Sequence, residues 1–242
     1  MEKIKVSSKN LKKTLKQATK VIKEGGVVVC PTDTVYGLLA NTKDEKAVKK
    51  VLKIKKRRLK KSLPVFVKDL KMAKSLAYIN KTQEKFLKEV WFTRLNFRDS
   101  PKGQQKLTKI KLKIWAGKGK VTAVLKAKPK KFPKGILSKD KKIGLRIPNY
   151  KFLNILLEKL NRPLTGTSAN ISGKPASTKI KEVLEQFKNQ KYQPDLILDA
   201  GDLKPSLPST VINLTTLKIL REGSFPKRKI LEILDKLESS LK

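Results

Sequence analysis

The sequence predicts a single α/β domain built on a twisted mixed sheet with flanking helices. Two observations predict it: short apolar runs bounded by Gly, Pro and polar turns, and amphipathic stretches set between those runs. The absence of an internal repeat or a long Pro/Ser linker argues for one unit. The chain has 242 residues, of which 38% are apolar, enough for one good-sized core.

Each element follows from its local pattern. Asn10 to Glu24 places Leu11, Leu15, Ala18 and Ile22 on one helical stripe, and Gly25-Gly26 stops it. Val27 to Cys30 reads as a buried strand, ended by Pro31 and the polar turn Thr32-Asp33-Thr34. Asp44 suits a helix N-cap, and the helix after it is expected to bury Ala47, Val48, Val51 and Leu52. Lys55 lies four residues past Val51, at the end of the same inward stripe. Leu63 to Val67 is the next strand, followed by helices over Asp69–Ala77 and Thr82–Trp91. Further strands are expected at Val121–Leu125, Ile143–Ile147 and Asp195–Leu198, and further helices at Lys151–Leu160 and Thr178–Lys188. Ser209–Leu214 and Leu217–Leu220 form a hairpin-like pair, and a last amphipathic helix runs from about Lys227 to Leu241.

Residues 92 to 120 break the rhythm. They carry nine Lys/Arg against one Asp, with Pro101, Gly103, Gly117 and Gly119 and weak periodicity. This reads as a basic insertion, at about residues 92–114, in a domain spanning 1–225, with 226–242 as a C-terminal helix.

Composition limits the chemistry. No apolar run approaches the roughly 18 residues of a membrane span, so no membrane association is expected. The first residues carry no apolar leader, and the lone Cys30 allows no internal disulfide, so a reducing, cytoplasmic setting is the expectation. Lys plus Arg number 59 against 20 Asp plus Glu, a net charge of +39 that favours polyanionic partners such as RNA. There is no histidine, which removes the usual general base, Ser-His or Cys-His nucleophiles and Cys/His zinc sites. Chemistry must rest on Lys, Arg, hydroxyls, carboxylates, backbone amides or a bound Mg2+; no protein-bound metal cluster is expected.

Five segments could carry it. Pro31 to Leu38 sets hydroxyls and amides at a strand end, where open α/β sheets bind ligands; an ordinary turn is the plainer reading. In Lys55 to Lys61, an inward Lys55 calls for an anion, and Arg57 could hold a phosphate bidentately. Leu164 to Gly173 crowds small and hydroxylated residues without the spacing of a Walker A loop. Arg146, within Ile143 to Pro148, faces either solvent or a pocket. Ser209 to Asn213 and Leu220 to Gly223 add strand hydroxyls and Arg221.

Taken in order, these segments resemble the YrdC family, which makes threonylcarbamoyl-adenylate for tRNA modification. The resemblance runs from about Asn10 to Gly223. It is carried by PTDTVYGL (31–38), the K-x-R of Lys55 and Arg57, GLRIP (144–148), TSANISGKP (167–175), STVINL (209–214) and ILREG (219–223). It implies a sheet twisted around a positively charged cavity. It implies a nucleotidyltransferase reaction in which L-threonine, bicarbonate and ATP with Mg2+ give threonylcarbamoyl-adenylate and pyrophosphate. A downstream transferase complex would move the group to the adenosine beside the anticodon.

By the same resemblance, Thr34, Arg146, Ser168 and Thr210 bind L-threonine. Arg57, Lys61, Asn170, Thr178 and Arg221 bind ATP, and Lys55 and Arg57 carry the catalysis. The chain departs from the family pattern at Arg58 and Ser62, where prolines are usual, and at Tyr150, where a histidine is common. The additional C-terminal domain of longer members is not expected in this chain. The competing expectation is a non-catalytic RNA-binding module of the same fold. Phe92, Phe97 and Trp115 among the cations of the insertion would serve contact with tRNA or double-stranded RNA.

Overall fold

The structure, a computed structural model, describes residues 1–57, 61–92 and 120–239. The α/β class holds, but the single predicted sheet is two sheets that abut. The first has the order β1 (Glu2–Lys5), β9 (Leu196–Asp199), β2 (Val28–Cys30), β3 (Gly37–Leu39), β8 (Thr167–Ser168). The second has the order β11 (Lys218–Arg221), β10 (Thr210–Asn213), β5 (Val121–Lys126), β6 (Lys142–Arg146), β4 (Val65–Phe66), β7 (Leu164–Thr165). Both are mixed: β1–β9, β2–β9, β5–β10 and β4–β6 are parallel and the remaining pairs antiparallel.

The split falls at Gly166. On one side of it β7 pairs with β4; on the other β8 pairs with β3. A Cβ on Gly166 would stand 3.0 Å from the Phe66 ring, so the switch between sheets needs a residue without a side chain. Thr165 stitches the seam. Its hydroxyl donates to the Leu38 carbonyl at 2.8 Å and accepts from the Ala40 amide at 2.9 Å. Strand pairs this short carry no periodic signal, which is why one sheet was expected.

Helices cover the sheets. Asp44 is the N-cap the sequence predicts, accepting from the Ala47 amide at the start of α2 (Glu45–Ile54); Asp69 likewise accepts from the Met72 amide in α3 (Leu70–Leu76). Asn80 and Gln83 close a capping box on α4 (Lys81–Trp91). The alternation of β2 sends Val28 and Cys30 to one face, against Leu15, Ala18 and Ile22 of α1 (Leu11–Lys23) and Phe152, Leu153 and Leu156 of α5 (Lys151–Leu160). It sends Val29 to the other face, into the core shared with Val121, Ala123, Leu145 and Ile212 of the second sheet. A sheet buried on both faces reads as a continuous apolar run, as Val27 to Cys30 does.

Some expectations move. Leu52 is only half-buried, lying against Gly135, while Ile54 takes the buried place. The helix predicted over Thr178–Lys188 is α6 (Ile180–Phe187). Its start is delayed by a turn in which the Ser177 hydroxyl accepts from the Lys179 amide. The strands β1 and β3 have no counterpart in the sequence reading. The last helix, α7 (Lys227–Ser239), buries Ile230 and packs on α4. The insertion expected at about 92–114 lies, apart from Phe92, outside the described residues. Its described flanks meet, because the Trp91 indole donates to the Val121 carbonyl at 2.9 Å.

Candidate active site

The seam between the sheets forms a small cavity of about 100 Å³. Its floor is the turn after β2, with Thr32 and Thr34; its far side is the β7–β8 corner, Gly166 to Ser168. Three guanidinium side chains close it: Arg57, Arg146 and Arg221. No Asp or Glu is among its lining residues.

Arg146 sits at the end of β6 and faces this pocket rather than solvent; it is 4% exposed. Its NH2 donates to Asp33 Oδ1 at 2.7 Å and its NH1 to the Thr34 hydroxyl at 3.3 Å. The ring of Phe66 lies 5.6 Å from its guanidinium centre. Thr32 braces the turn beneath: its hydroxyl donates to the Val35 carbonyl and accepts from the Thr34 amide.

A second, larger cavity of about 530 Å³ lies alongside. Lys55, Lys56, Lys61 and the segment from Ser168 to Gly173 line it, and Arg57 and Ser168 belong to both cavities. Arg57 is aimed by the end of α2. Lys56 adopts a left-handed conformation (φ 49°), and the Arg57 amide turns back to the Leu52 carbonyl at 2.9 Å. The Arg57 guanidinium donates to the Lys61 and Ser62 carbonyls.

Lys55 points inward as its stripe predicts and is 1% exposed. Among the described residues no carboxylate pairs with it. Its ammonium donates to three neutral oxygens: the Ser168 carbonyl at 2.5 Å, the Asn170 carbonyl at 2.9 Å and the Asn170 side-chain Oδ1 at 2.8 Å. The same Oδ1 accepts from the Ser168 hydroxyl at 2.6 Å. Lys55 therefore holds the shape of the 168–170 loop.

The cations form a sequence of like neighbours. Burial, and then the charge of Arg57, lowers the Lys55 pKa to about 7. Partial burial, and then Arg221, lowers that of Arg57; partial burial, and then Arg146, lowers that of Arg221. Such mutual repulsion in a partly dry pocket is relieved by a bound anion.

The predicted site residues divide. Thr34, Arg57, Arg146, Ser168 and Arg221 converge on the inner cavity; Lys55, Lys61 and Asn170 line the outer one. Thr210 is turned away: its hydroxyl donates to the Phe225 carbonyl at 2.6 Å, and neighbouring Ser209 lines the inner cavity instead. Ser209 also accepts from Arg221, through its carbonyl at 2.6 Å. Thr178 lines neither cavity; its carbonyl accepts from Leu203. Asp33 was not singled out by sequence, although it lies in a turn that was. An acid between two threonines, opposite an Arg at a strand end, was the available signal.

Two abutting mixed sheets with three arginines lining a cavity at their seam define an α/β protein with a cationic pocket. The sequence model of the Sua5–YciO–YrdC family, described as "Telomere recombination", matches residues 20–98 and 96–223. The chain belongs to this family. It is 36% identical over 221 residues to a Methanocaldococcus jannaschii protein whose name provisionally assigns it as a threonylcarbamoyl-AMP synthase, covering 90% of each chain. It is 31% identical to the threonylcarbamoyl-AMP synthase of Pyrococcus abyssi, covering 89% of this chain but 56% of that one. The chain thus spans little more than half of that longer relative. The crystal structure of P. abyssi Sua5 complexed with L-threonine superposes with a TM-score of 0.75 at 28% identity, covering 96% of this chain and 60% of that one. Among the described residues no helix is long and apolar enough to cross a membrane.

Proposed function

We propose that this protein is a cytoplasmic threonylcarbamoyl-AMP synthase, a nucleotidyltransferase joining L-threonine, bicarbonate and ATP with release of pyrophosphate. The observation that carries the reading is the pair of cavities sharing Arg57 and Ser168, one lined by three arginines and the other by lysines and the 168–173 loop. The inner volume falls well below the roughly 300–1,000 Å³ of larger ligand pockets and suits a small polar substrate; the outer volume lies within that range and suits a nucleotide. The relatives' names support a threonylcarbamoyl-AMP product and the P. abyssi Sua5 complex supports L-threonine as a ligand; ATP and bicarbonate are part of the proposal.

In this reading Arg146 receives the threonine carboxylate, and Thr34 and Ser168 offer hydroxyls to its polar atoms. The threonine amine attacks bicarbonate, giving a carbamate and water. A carbamate oxygen then attacks the α-phosphorus of ATP, and pyrophosphate leaves toward Arg57 and Lys61. The protein supplies positioning and fixed positive charge where negative charge gathers; no covalent intermediate and no histidine are needed. Lys55 acts by holding the loop between the two substrates. Among the described residues there is no group of three or more His, Cys, Asp or Glu that could hold a metal ion. Mg2+ enters this proposal with the ATP phosphates, and no step is assigned to it.

The product would feed a transferase complex acting on tRNA. The alternative of an RNA-binding module rests on the basic insertion, which lies outside the described residues. The test is pure protein with ATP, Mg2+, labelled bicarbonate and L-threonine. Threonine-dependent pyrophosphate release with label in an adenylate is expected; release that ignores threonine would sink the reading.

A further inference from the structure

The inner cavity poses a problem of selectivity. Three guanidinium groups in a half-dry pocket are also a good site for inorganic phosphate or pyrophosphate, anions that an ATP-cleaving site meets constantly. An amino-acid zwitterion brings one negative charge and one positive charge; phosphate near neutral pH brings one to two negative charges and none positive. A pocket with all three positive charges uncompensated would favour the phosphate.

Asp33 answers this. Its carboxylate lies 2.7 Å from Arg146 NH2, and the two side chains are 6% and 5% exposed. Asp33 is not a lining residue of the cavity, so it neutralises the arginine from outside the binding volume without blocking it. Its second oxygen, Oδ2, is buried with no hydrogen-bond partner among the described residues. A carboxylate left half-satisfied is costly to bury, and among the described residues its hydrogen-bond partner is this guanidinium.

We propose that Asp33 is a selectivity residue: by cancelling the charge of Arg146 it tunes the inner cavity for a zwitterionic amino acid and against free phosphate. The proposal rests on the inner cavity being the amino-acid subsite.

The test compares wild type, Asp33→Asn and Asp33→Glu in two binding measurements made without ATP: direct titration with inorganic phosphate, and phosphate competition against L-threonine. Asparagine keeps an oxygen acceptor for Arg146 but loses the charge. Asp33→Asn is expected to bind phosphate about tenfold more tightly, competitively with threonine, because one positive charge is no longer offset. Asp33→Glu, which keeps the charge, is expected to retain the wild-type preference for threonine. Phosphate binding unchanged in a folded Asp33→Asn would overturn the proposal. So would a gain in phosphate binding by Asp33→Glu, an outcome that stays readable even if the asparagine variant does not fold. Wild type that binds phosphate but no threonine would instead sink the amino-acid reading of the pocket, separately from the effect of Asp33 on phosphate.

Discussion

At the scale of the residue, Lys55 shows how far a stripe argument reaches. Its spacing from Val51 indicated that it points inward, and it does. What it meets there was not legible, because the Ser168 and Asn170 oxygens come from a loop more than a hundred residues away. Its pKa is lowered to about 7 from an ordinary value near 10.5. Between those limits the unfolded chain binds a proton that the folded chain does not. The burial penalty is thus fully present below pH 7 and is relieved as pH rises toward 10.5. Lys55→Met should remove this dependence. Thermal unfolding of both proteins from pH 6 to 10 should show wild type gaining on the variant as pH rises; parallel curves would contradict it. At neutral pH the variant should still be less stable, by about 1–3 kcal/mol, because three loop oxygens lose their donor.

At the scale of the element, the strand–turn–helix order was largely readable, and the corner between β7 and β8 was not. Val27 to Cys30, α5 and the β10–β11 hairpin follow from period and turn residues. Gly166 reads as one more glycine in a polar loop, and only the pairing of its neighbours with different sheets reveals its task. The same contact shapes the pocket, since Phe66 lies between Gly166 and Arg146. Gly166→Ala would press a methyl group onto that ring at 3.0 Å. We expect a loss of about 1–3 kcal/mol from overpacking, seen as a lower melting temperature, together with weaker threonine binding as Arg146 loses its seat. Adding Phe66→Leu should recover part of the stability, a non-additivity that a double-mutant cycle would measure. Additive losses would mean the two residues do not press on each other.

At the scale of the whole molecule, the net charge of +39 was the most conspicuous number in the sequence and explains little of the site. The cations that matter are few, and the fold selects them by bringing Arg57, Arg146 and Arg221 to one seam from the end of α2, from β6 and from β11. Their order in the sequence carries no trace of that meeting, and the family motifs named them only as separate positions. Because Arg57 and Ser168 belong to both cavities, the two sites share walls, and a ligand that fixes those walls prepares them for the other ligand. Threonine and a non-hydrolysable ATP analogue should therefore each raise the affinity of the other, by roughly 5- to 10-fold, within the usual range of coupling energies. Linkage requires the two factors to be equal, which calorimetry in both orders of addition checks. Arg57→Ala should bring the factor close to one as well as weakening the analogue, because the shared wall is gone. A variant that lost nucleotide affinity yet kept the full coupling would show that the two cavities communicate by another route, leaving Ser168 and the loop held by Lys55 as the connection to test.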